Sequence, residues 1–472
     1  MKTYQDLLEV VNDDKRLKEF LIAAINDHKT SDVYKWAKIG DAYDKQENTT
    51  IMRYQKLLYT MSGRAIPDYF NANHKLPSNF YNKFNVQENQ YLLGNGVNFE
   101  KEDTKDKLGT GKYAFDTRLQ KLGKKALTHR VAFGFWNLDH IDVFEVLEFV
   151  PLYDEENGAL MAGIRFWQIA DNKPLRVTLY ELDGYTEYIK RKDDTELKEL
   201  QSKRKYVLKT RTTKADGTEI YDGENYNGFP IVPLWGNQDH TCKIKAWQPK
   251  IDCYDLIESG FANDVDDASM IYWTITNSGG MDDVDLAEFV QHMRTVKAAT
   301  VDSDSGQAVQ SHTIDVPVNA RETYLKMLEK DLYKDAMALD TEAIATGNTV
   351  ATAIRASYEP LNNKTDDFEY CVNEFIQSIL ELAGIDDEPS FKRSTIVNQT
   401  EETTMVLAAA QYLDTETILK HLPFIGVDEV DDILDKLTEE EATRFASDED
   451  MTDGQGEDTD GQEAPEDGEE SK

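Results

Sequence analysis

Seven apolar residues, Ile251, Tyr254, Ile257, Phe261, Val265, Ala268 and Tyr272, follow one another in steps of three or four. That spacing puts them on one face of an α-helix, and such a face has to be buried against a partner. Asp252, Asp255, Asp264, Asp266 and Asp267 fall between them and read as the solvated face. Asn277-Ser278-Gly279-Gly280 ends the helix. A second stripe of Leu325, Leu328, Leu332 and Leu339 predicts a returning helix over 320–340. Between the two helices, 296–301 and 313–316 have the β-branched character of extended chain, with a turn at 302–306. A chain of this pattern must therefore build a helical pair around a short β insertion.

The first 250 residues follow other periods. Residues 1–60 read as helical: Leu17, Phe20, Leu21, Ala24 and Ile25 recur at helical spacing, with Met52, Gln55 and Tyr59 continuing it less clearly. Residues 77–93 predict a helix with Phe80, Phe84, Gln87 and Tyr91 on one face, Pro77 in its first turn and Gly94 at its end. Val97 and Phe99 begin an extended stretch, and Phe115, Leu119 and Leu122 mark a helix over 113–127. From 131 to 231 strands take over, as in 143–147, 163–167 and 176–181, with Asp183-Gly184 and Asp216-Gly217 as hairpin turns. The fold class is α+β with an antiparallel sheet. After a break at Thr346-Gly347-Asn348-Thr349, a long helix runs to about Leu382 with a kink at Pro360. Asn398-Gln399-Thr400-Glu401 starts a set of short helices in the manner of a capping box, and Pro423 and Gly426 separate the last of them. There is no tandem repeat.

Charge restricts the possible partners. A formal net charge of −37 over 472 residues argues against free binding to nucleic acid as an isolated basic protein. Residues 447–472 hold twelve Asp and Glu against one Lys, too little apolar surface to fold alone. The segment reads either as a solubilising appendage or as a flexible tail that repels DNA or engages an assembly partner. The three cysteines, Cys242, Cys253 and Cys371, show no paired spacing, which suggests a reducing compartment. The first residues lack an apolar signal core, and no run of about 18 apolar residues predicts a membrane span.

No catalytic residues are assigned. Gly109-Thr110-Gly111-Lys112 lacks the first glycine of a phosphate-binding loop, and Tyr113 stands where Ser or Thr would hold magnesium. His240-Thr241-Cys242 has no second ligand pair for zinc. The acidic clusters at 264–267 and Asp282-Asp283 read as solvated faces, with structural divalent cations as the alternative. Lys121, Lys124, Lys125 and Arg130 form one basic group; Lys190-Arg191-Lys192 and Lys203-Arg204-Lys205, continuing to Lys209 and Arg211, form another. Both read as solvated surface or as contacts to a neighbouring subunit or DNA. No cofactor and no metal ligand set are predicted, and the chain reads as a non-enzyme.

An ordered series of segments carries a further signal. It runs Leu76-Pro77-Ser78-Asn79-Phe80-Tyr81, Tyr91-Leu92-Leu93-Gly94-Asn95, Asn227-Gly228-Phe229-Pro230-Ile231-Val232-Pro233 and Ile251-Asp252-Cys253-Tyr254-Asp255. It closes with Glu329-Lys330-Asp331-Leu332-Tyr333 and Thr415-Glu416-Thr417-Ile418-Leu419. The series resembles the SPP1-like portal family of tailed bacteriophages, over about 66–440. Gly96 stands where the family often has Pro, and 346–350 lacks the usual Ser-Gly pair. The resemblance implies a portal fold: a wing over 1–250, stem helices over 251–276 and 320–340, and a small β-containing clip over 277–319. It further implies a tunnel loop over 341–350, a long kinked helix over 351–395 returning to the wing, a helical crown over 396–446 and a disordered acidic tail. Stem residues would be Ile251, Tyr254, Ile257, Phe261, Val265, Leu325, Leu328 and Leu332. Ile344, Ala345, Thr346, Gly347, Asn348 and Thr349 would border the DNA channel. The implied function is a subunit of a homo-oligomeric ring of about twelve at one capsid vertex. DNA would be packaged and ejected through it. Its partners would be the terminase large subunit, head-completion or adaptor proteins, major capsid and scaffolding proteins and the double-stranded DNA in the channel, with no membrane. The ring would be assembled in the host cytoplasm and built into the virion. An acidic lining lets DNA slide, where a basic one would hold its phosphates. The alternative is another phage head–tail adaptor or structural protein.

Overall fold

The computed structural model describes residues 2–59, 63–69, 71–213, 219–268, 272–275, 309–312, 317–342, 351–394, 399–422, 425, 430 and 433–438. Four helices open the chain: α1 (Tyr4–Leu8), α2 (Asp14–Thr30), α3 (Asp32–Asp44) and α4 (Thr49–Arg53). Strands β1 (Leu57–Tyr59) and β2 (Ala65–Pro67) precede α5 (Phe80–Leu93), β3 (Val97–Phe99), α6 (Thr104–Leu108), a 3-10 turn (Gly111–Tyr113) and α7 (Phe115–His129). Ten strands follow: β4 (Val131–Asn137), β5 (His140–Glu145), β6 (Phe149–Tyr153), β7 (Leu160–Trp167), β8 (Leu175–Glu181), β9 (Gly184–Lys190), β10 (Lys198–Arg204), β11 (Val207–Thr213), β12 (Glu219–Glu224) and β13 (Ile231–Trp235). The remainder is α8 (Ile244–Ala268), β14 (Tyr272–Ile275), β15 (Val309–His312), α9 (Val318–Asp335), α10 (Ala351–Ala383), β16 (Pro389–Phe391), α11 (Gln399–Ala409), a 3-10 turn (Ala410–Tyr412) and α12 (Thr415–His421).

The chain forms two compact units, one of Met1–Asn348 with Arg355–Ser394, the other of Thr349–Ile354 with Thr395–Lys472. In the first, β6 to β10 make a five-stranded antiparallel meander, and β13-β4-β5 make a separate three-stranded antiparallel sheet. The helical stripe read in α2 covers the meander: Leu17, Phe20, Leu21, Ala24 and Ile25 pack on Val150, Leu152, Ile164, Val177 and Leu179. Full burial of each such Leu, Ile, Val or Phe side chain contributes about 1.5–3 kcal/mol. Ser31 separates α2 from α3. Its hydroxyl donates to the His28 carbonyl at 2.7 Å and accepts from the Tyr34 amide at 3.2 Å, ending one helix and capping the next. Aromatic rings fill the space between the sheets, with Phe133 and Phe149 centred 4.5 Å apart. On the other side of β4, the α10 stripe of Phe368, Val372, Phe375, Ile376 and Ile379 packs with Leu119, Leu122 and Ala126 of α7. In the second unit α11 touches α12, whose first turn is capped by the Asp414 carboxylate at 3.0 Å from the Thr417 amide.

The mixed helix and antiparallel-sheet class matches the sequence reading, and several boundaries differ. The single expected sheet is two sheets plus short two-stranded ribbons. Helix over 1–60 stops at Arg53, with Met52 exposed and Leu57–Tyr59 paired as a strand. Pro77 lies ahead of α5, because the backbone there is bonded to α8. The loop between β8 and β9 is Leu182-Asp183, one residue earlier than read, since Glu181 pairs with Gly184. The stripe that begins at Ile251 belongs to a helix starting at Ile244, with Pro249 inside it, and Tyr272 lies in a strand. Leu339 is buried but lies beyond α9; Met337 adopts a left-handed φ of 49° just past the helix end, which stops the spiral. Asp216-Gly217, the stretches 276–308 and 313–316, Asn398, Pro423, Gly426 and 447–472 lie outside the described residues.

Gly134 of β4 tests this packing. A Cβ there would lie 2.5 Å from the buried Phe375 ring, whereas one at Gly228 would meet only a Leu382 methyl at 3.5 Å. Gly134→Ala should cost about 1–3 kcal/mol in chemical unfolding. Gly228→Ala should stay within about 0.5 kcal/mol.

Candidate functional site

The two helices expected to pair do so: α8 and α9 pack against each other. Lys250 and Asp335 form an ion pair at one end at 2.5 Å, and Arg321 and Asp264 form another toward the other end. Each helix advances fourteen residues between the two pairs, so the helices run antiparallel in matched register over about 21 Å. Ile251, Leu328 and Leu332 are buried at this contact. Tyr254, Ile257, Phe261 and Leu325 are half-buried, with Tyr254 set edge-on to Phe80 at 5.0 Å. Val265 is 51% exposed, and Val318, Tyr324 and Met327 of α9 are also open to solvent. Beyond α8 and before α9, β14 and β15 pair antiparallel from Tyr272↔His312 to Ile275↔Val309.

The acidic face of α8 corrects the sequence reading. Asp255 is fully buried, and Ser259 and Asn263 follow it at steps of four, also buried. Their side chains accept three main-chain amides from the stretch before α5. Ser78 N–H donates to Asp255 at 2.9 Å, Leu76 N–H to Ser259 at 3.0 Å and His74 N–H to Asn263 at 2.8 Å. The Asn48 side chain donates to the second Asp255 oxygen, and Tyr43 and Thr50 hydroxyls donate to Asp252. Burial raises the pKa of Asp255, and the hydrogen bonds from Asn48 and Ser78 only partly offset it. The Asp-Ser-Asn recurrence at four-residue intervals was present in the sequence; an apolar-only search for stripes passes over it.

A second polar centre lies at the root of α8. Glu88 of α5 is fully buried, with Lys243 at 2.5 Å and Lys364 of α10 at 2.8 Å. Lys364 also lies 5.2 Å from the Trp247 ring centre. Burial alone would raise the Glu88 pKa, but the two ammonium groups outweigh it and hold it below the ordinary value. The group carries one more positive charge than negative. Sequence order gives no sign of it, since 88, 243 and 364 are remote.

Several other sequence candidates make structural contacts. His240 stacks on Trp235 with centroids 3.7 Å apart, and burial pushes the Cys242 thiol up to about 11, far from a reactive thiolate. Gly109-Thr110-Gly111-Lys112 is the turn entering α7, with φ of 147° at Gly109 and 57° at Gly111. Asp264 pairs with Arg321 and Asp266 with His74, while Asp282-Asp283 lies outside the described residues. Lys124 pairs with Asp44, Lys125 with Glu145, Lys203 with Glu181 and Asp183, and Lys209 with Glu224. Ile344, Ala345, Thr346, Gly347, Asn348 and Thr349 lie outside the described residues. Among the described residues no helix is long and apolar enough to cross a membrane.

The triad gives a pH-dependent test. Burial is the largest influence on Lys364 and lowers its pKa to about 8, while Glu88 pulls it upward. The unfolded chain binds this proton more tightly than the folded one, so the stability tied to Lys364 rises from about pH 8 toward about pH 10.4 and is lost as pH falls through 8. Thermal unfolding of Lys364→Met should show higher stability than wild type near neutral pH, with the difference shrinking as pH rises through this window. Glu88→Gln should lose about 3–5 kcal/mol, because two ammonium groups are left without their counter-ion.

The family model described as "Phage portal protein, SPP1 Gp6-like" matches residues 23–454. The portal protein of Clostridium phage phiCD119 is 26% identical over 208 residues, 42% of this chain and 46% of that one. The portal protein of Bacillus phage SPP1 is 22% identical over 327 residues, 66% of this chain and 62% of that one. The match thus spans less than two thirds of the length of both relatives. Among solved structures, a chain from the neck of a native gene transfer agent particle covers 72% of this chain and 88% of its own length, with 11% identity and a TM-score of 0.41. One from the virion of such a particle covers 71% and 86%, again with 11% identity and a TM-score of 0.41. Phage portal proteins are structural components of the virion and not enzymes. With the family model matched from residue 23 to residue 454, the chain belongs to the SPP1-like family of phage portal proteins.

Proposed function

We propose that this chain is one subunit of a ring of about twelve at a capsid vertex, through which double-stranded DNA is packaged and later ejected. The family match over 23–454 carries this reading. In it, α8 and α9 are the stem, and 277–319 form a clip that docks the terminase large subunit and, later, head-completion proteins. Ile344 to Thr349 border the channel, α10 returns to the wing, and 396–446 form the crown within a shell of capsid and scaffolding proteins. The matched antiparallel register of α8 and α9 suits a stiff stem; β15 falls within 277–319 but its partner β14 lies at 272–275, ahead of that range, so the paired strands suit a clip that begins a few residues earlier.

Two physical features favour assembly of many copies. Val265, Val318, Tyr324 and Met327 are 41–51% exposed on the helical pair, an apolar surface that neighbouring subunits would cover. The net charge of −37 makes a closed ring self-repulsive, so apolar interfaces and counter-ions must offset it. The same charge leaves DNA weakly held and able to slide.

Electron microscopy of purified full-length protein tests the reading. It should show closed rings with an open axial channel wide enough for duplex DNA. Met327→Glu should shift the population toward smaller species while leaving the circular dichroism of the subunit unchanged. Monomers or open chains at every salt and magnesium concentration would contradict the proposal.

A further inference from the structure

We propose that Asp41, His129 and Glu145 form a binding site for a divalent transition-metal ion of the zinc class, joining α3, the end of α7 and the end of β5. Their ligand atoms all lie within 4.8 Å of one another. His129 is fully buried; its Nδ1 has no hydrogen-bond partner, and its Nε2 meets the Asp41 carboxylate outside good hydrogen-bond geometry. Its Nε2 faces Asp41 Oδ1 at 3.5 Å. A charge-assisted hydrogen bond would draw these atoms to about 2.7–2.9 Å. Two ligands on a tetrahedral ion, each about 2.0–2.1 Å from the metal, sit about 3.4 Å apart. The separation of this pair is that of neighbouring ligands, and Glu145, within 4.8 Å of both, has to close in on the ion.

The backbone around the site is set for this purpose. Gly40 brings α3 so close to the end of α7 that a Cβ would lie 2.4 Å from the Thr128 carbonyl oxygen. The same carbonyl accepts the Tyr81 hydroxyl at 2.8 Å. The residues that follow, Asp41 and His129, are therefore fixed in position before any ion arrives. Lys45 donates to the second Asp41 oxygen at 2.6 Å, which orients the carboxylate as an outer-shell partner does. Lys125 Nζ lies 3.0 Å from Glu145 and 3.9 Å from Asp41, so its ammonium serves as the cation between the two carboxylates. Its side chain is 24% exposed and can withdraw to water when a metal enters. Two carboxylates then neutralise the dication. One imidazole and two carboxylates suit zinc or cobalt and disfavour calcium and magnesium, which take oxygen ligands alone.

The test uses full-length protein stripped of metal by a chelator. Zinc binding is followed by calorimetry and cobalt binding by its visible absorption, which is strong for four-coordinate geometry. Wild type should take up one zinc per chain and give the four-coordinate cobalt spectrum. His129→Gln should weaken binding beyond the roughly tenfold to hundredfold that loss of an outer-shell partner costs, and should abolish that spectrum. Glu145→Gln, at a partly exposed position, should weaken it too, and Lys125→Met should tighten it by removing the competing ammonium. No stoichiometric zinc in wild type would overturn the proposal. So would a spectrum unchanged by Glu145→Gln and His129→Gln, which would assign the ion to other carboxylates such as those of 447–472.

Discussion

Three main-chain amides held by one helix face set the position of the helical pair. Four residues of an α-helix advance about 6.0 Å, and two residues of extended chain advance about 6.6 Å. Asp255, Ser259 and Asn263 can therefore meet Ser78, Leu76 and His74 in turn, with the stretch running opposite to α8. Each bond satisfies a donor that would otherwise cost about 1–3 kcal/mol if buried without a partner. The arrangement gives direction as well as adhesion, because a slip by one residue along the strand-like stretch would bring Pro77, which has no amide proton, opposite an acceptor. Asp252 extends the same face toward Tyr43 of α3 and Thr50 of α4.

The root of α8 is fixed by charge where its length is fixed by hydrogen bonds. Glu88 draws Lys243 and Lys364 inward, so α5, the entry to α8 and α10 meet at one carboxylate. Aromatic packing surrounds this centre: Phe84 lies edge-on to both Trp247 and Tyr333, 5.6 Å and 5.3 Å away. An excess ammonium in such a setting lowers stability, and its retention is consistent with a role in fixing the relative placement of three helices, since buried ionic groups are a weak source of stability in themselves.

Local period made much of the fold legible. The α2 stripe, the helix ending at Gly94, the strands of 131–231 and the returning helix around Leu328 and Leu332 each follow from spacing that no distant contact has to supply. What stayed hidden depends on such contacts. Asp255 looks like a surface carboxylate until Asn48 and Ser78 are placed beside it, and Asp41, His129 and Glu145 are separated by stretches whose folding alone brings them together. The start of α8 was read late because Ile244 and Trp247 belong to the aromatic cluster at its root rather than to the stripe that begins at Ile251. The ordered segments pointed to the portal family directly, and the family match over 23–454 agrees.

The dependence of the helical pair on the three amides is open to one direct measurement, hydrogen exchange at His74, Leu76 and Ser78 in the full-length protein. Strong protection of all three in wild type, with the Ser78 amide released in Asp255→Ala and the His74 amide in Asn263→Ala, is the outcome this account predicts. Exchange of these amides at the rate of open chain, or protection unaltered by either substitution, would contradict it.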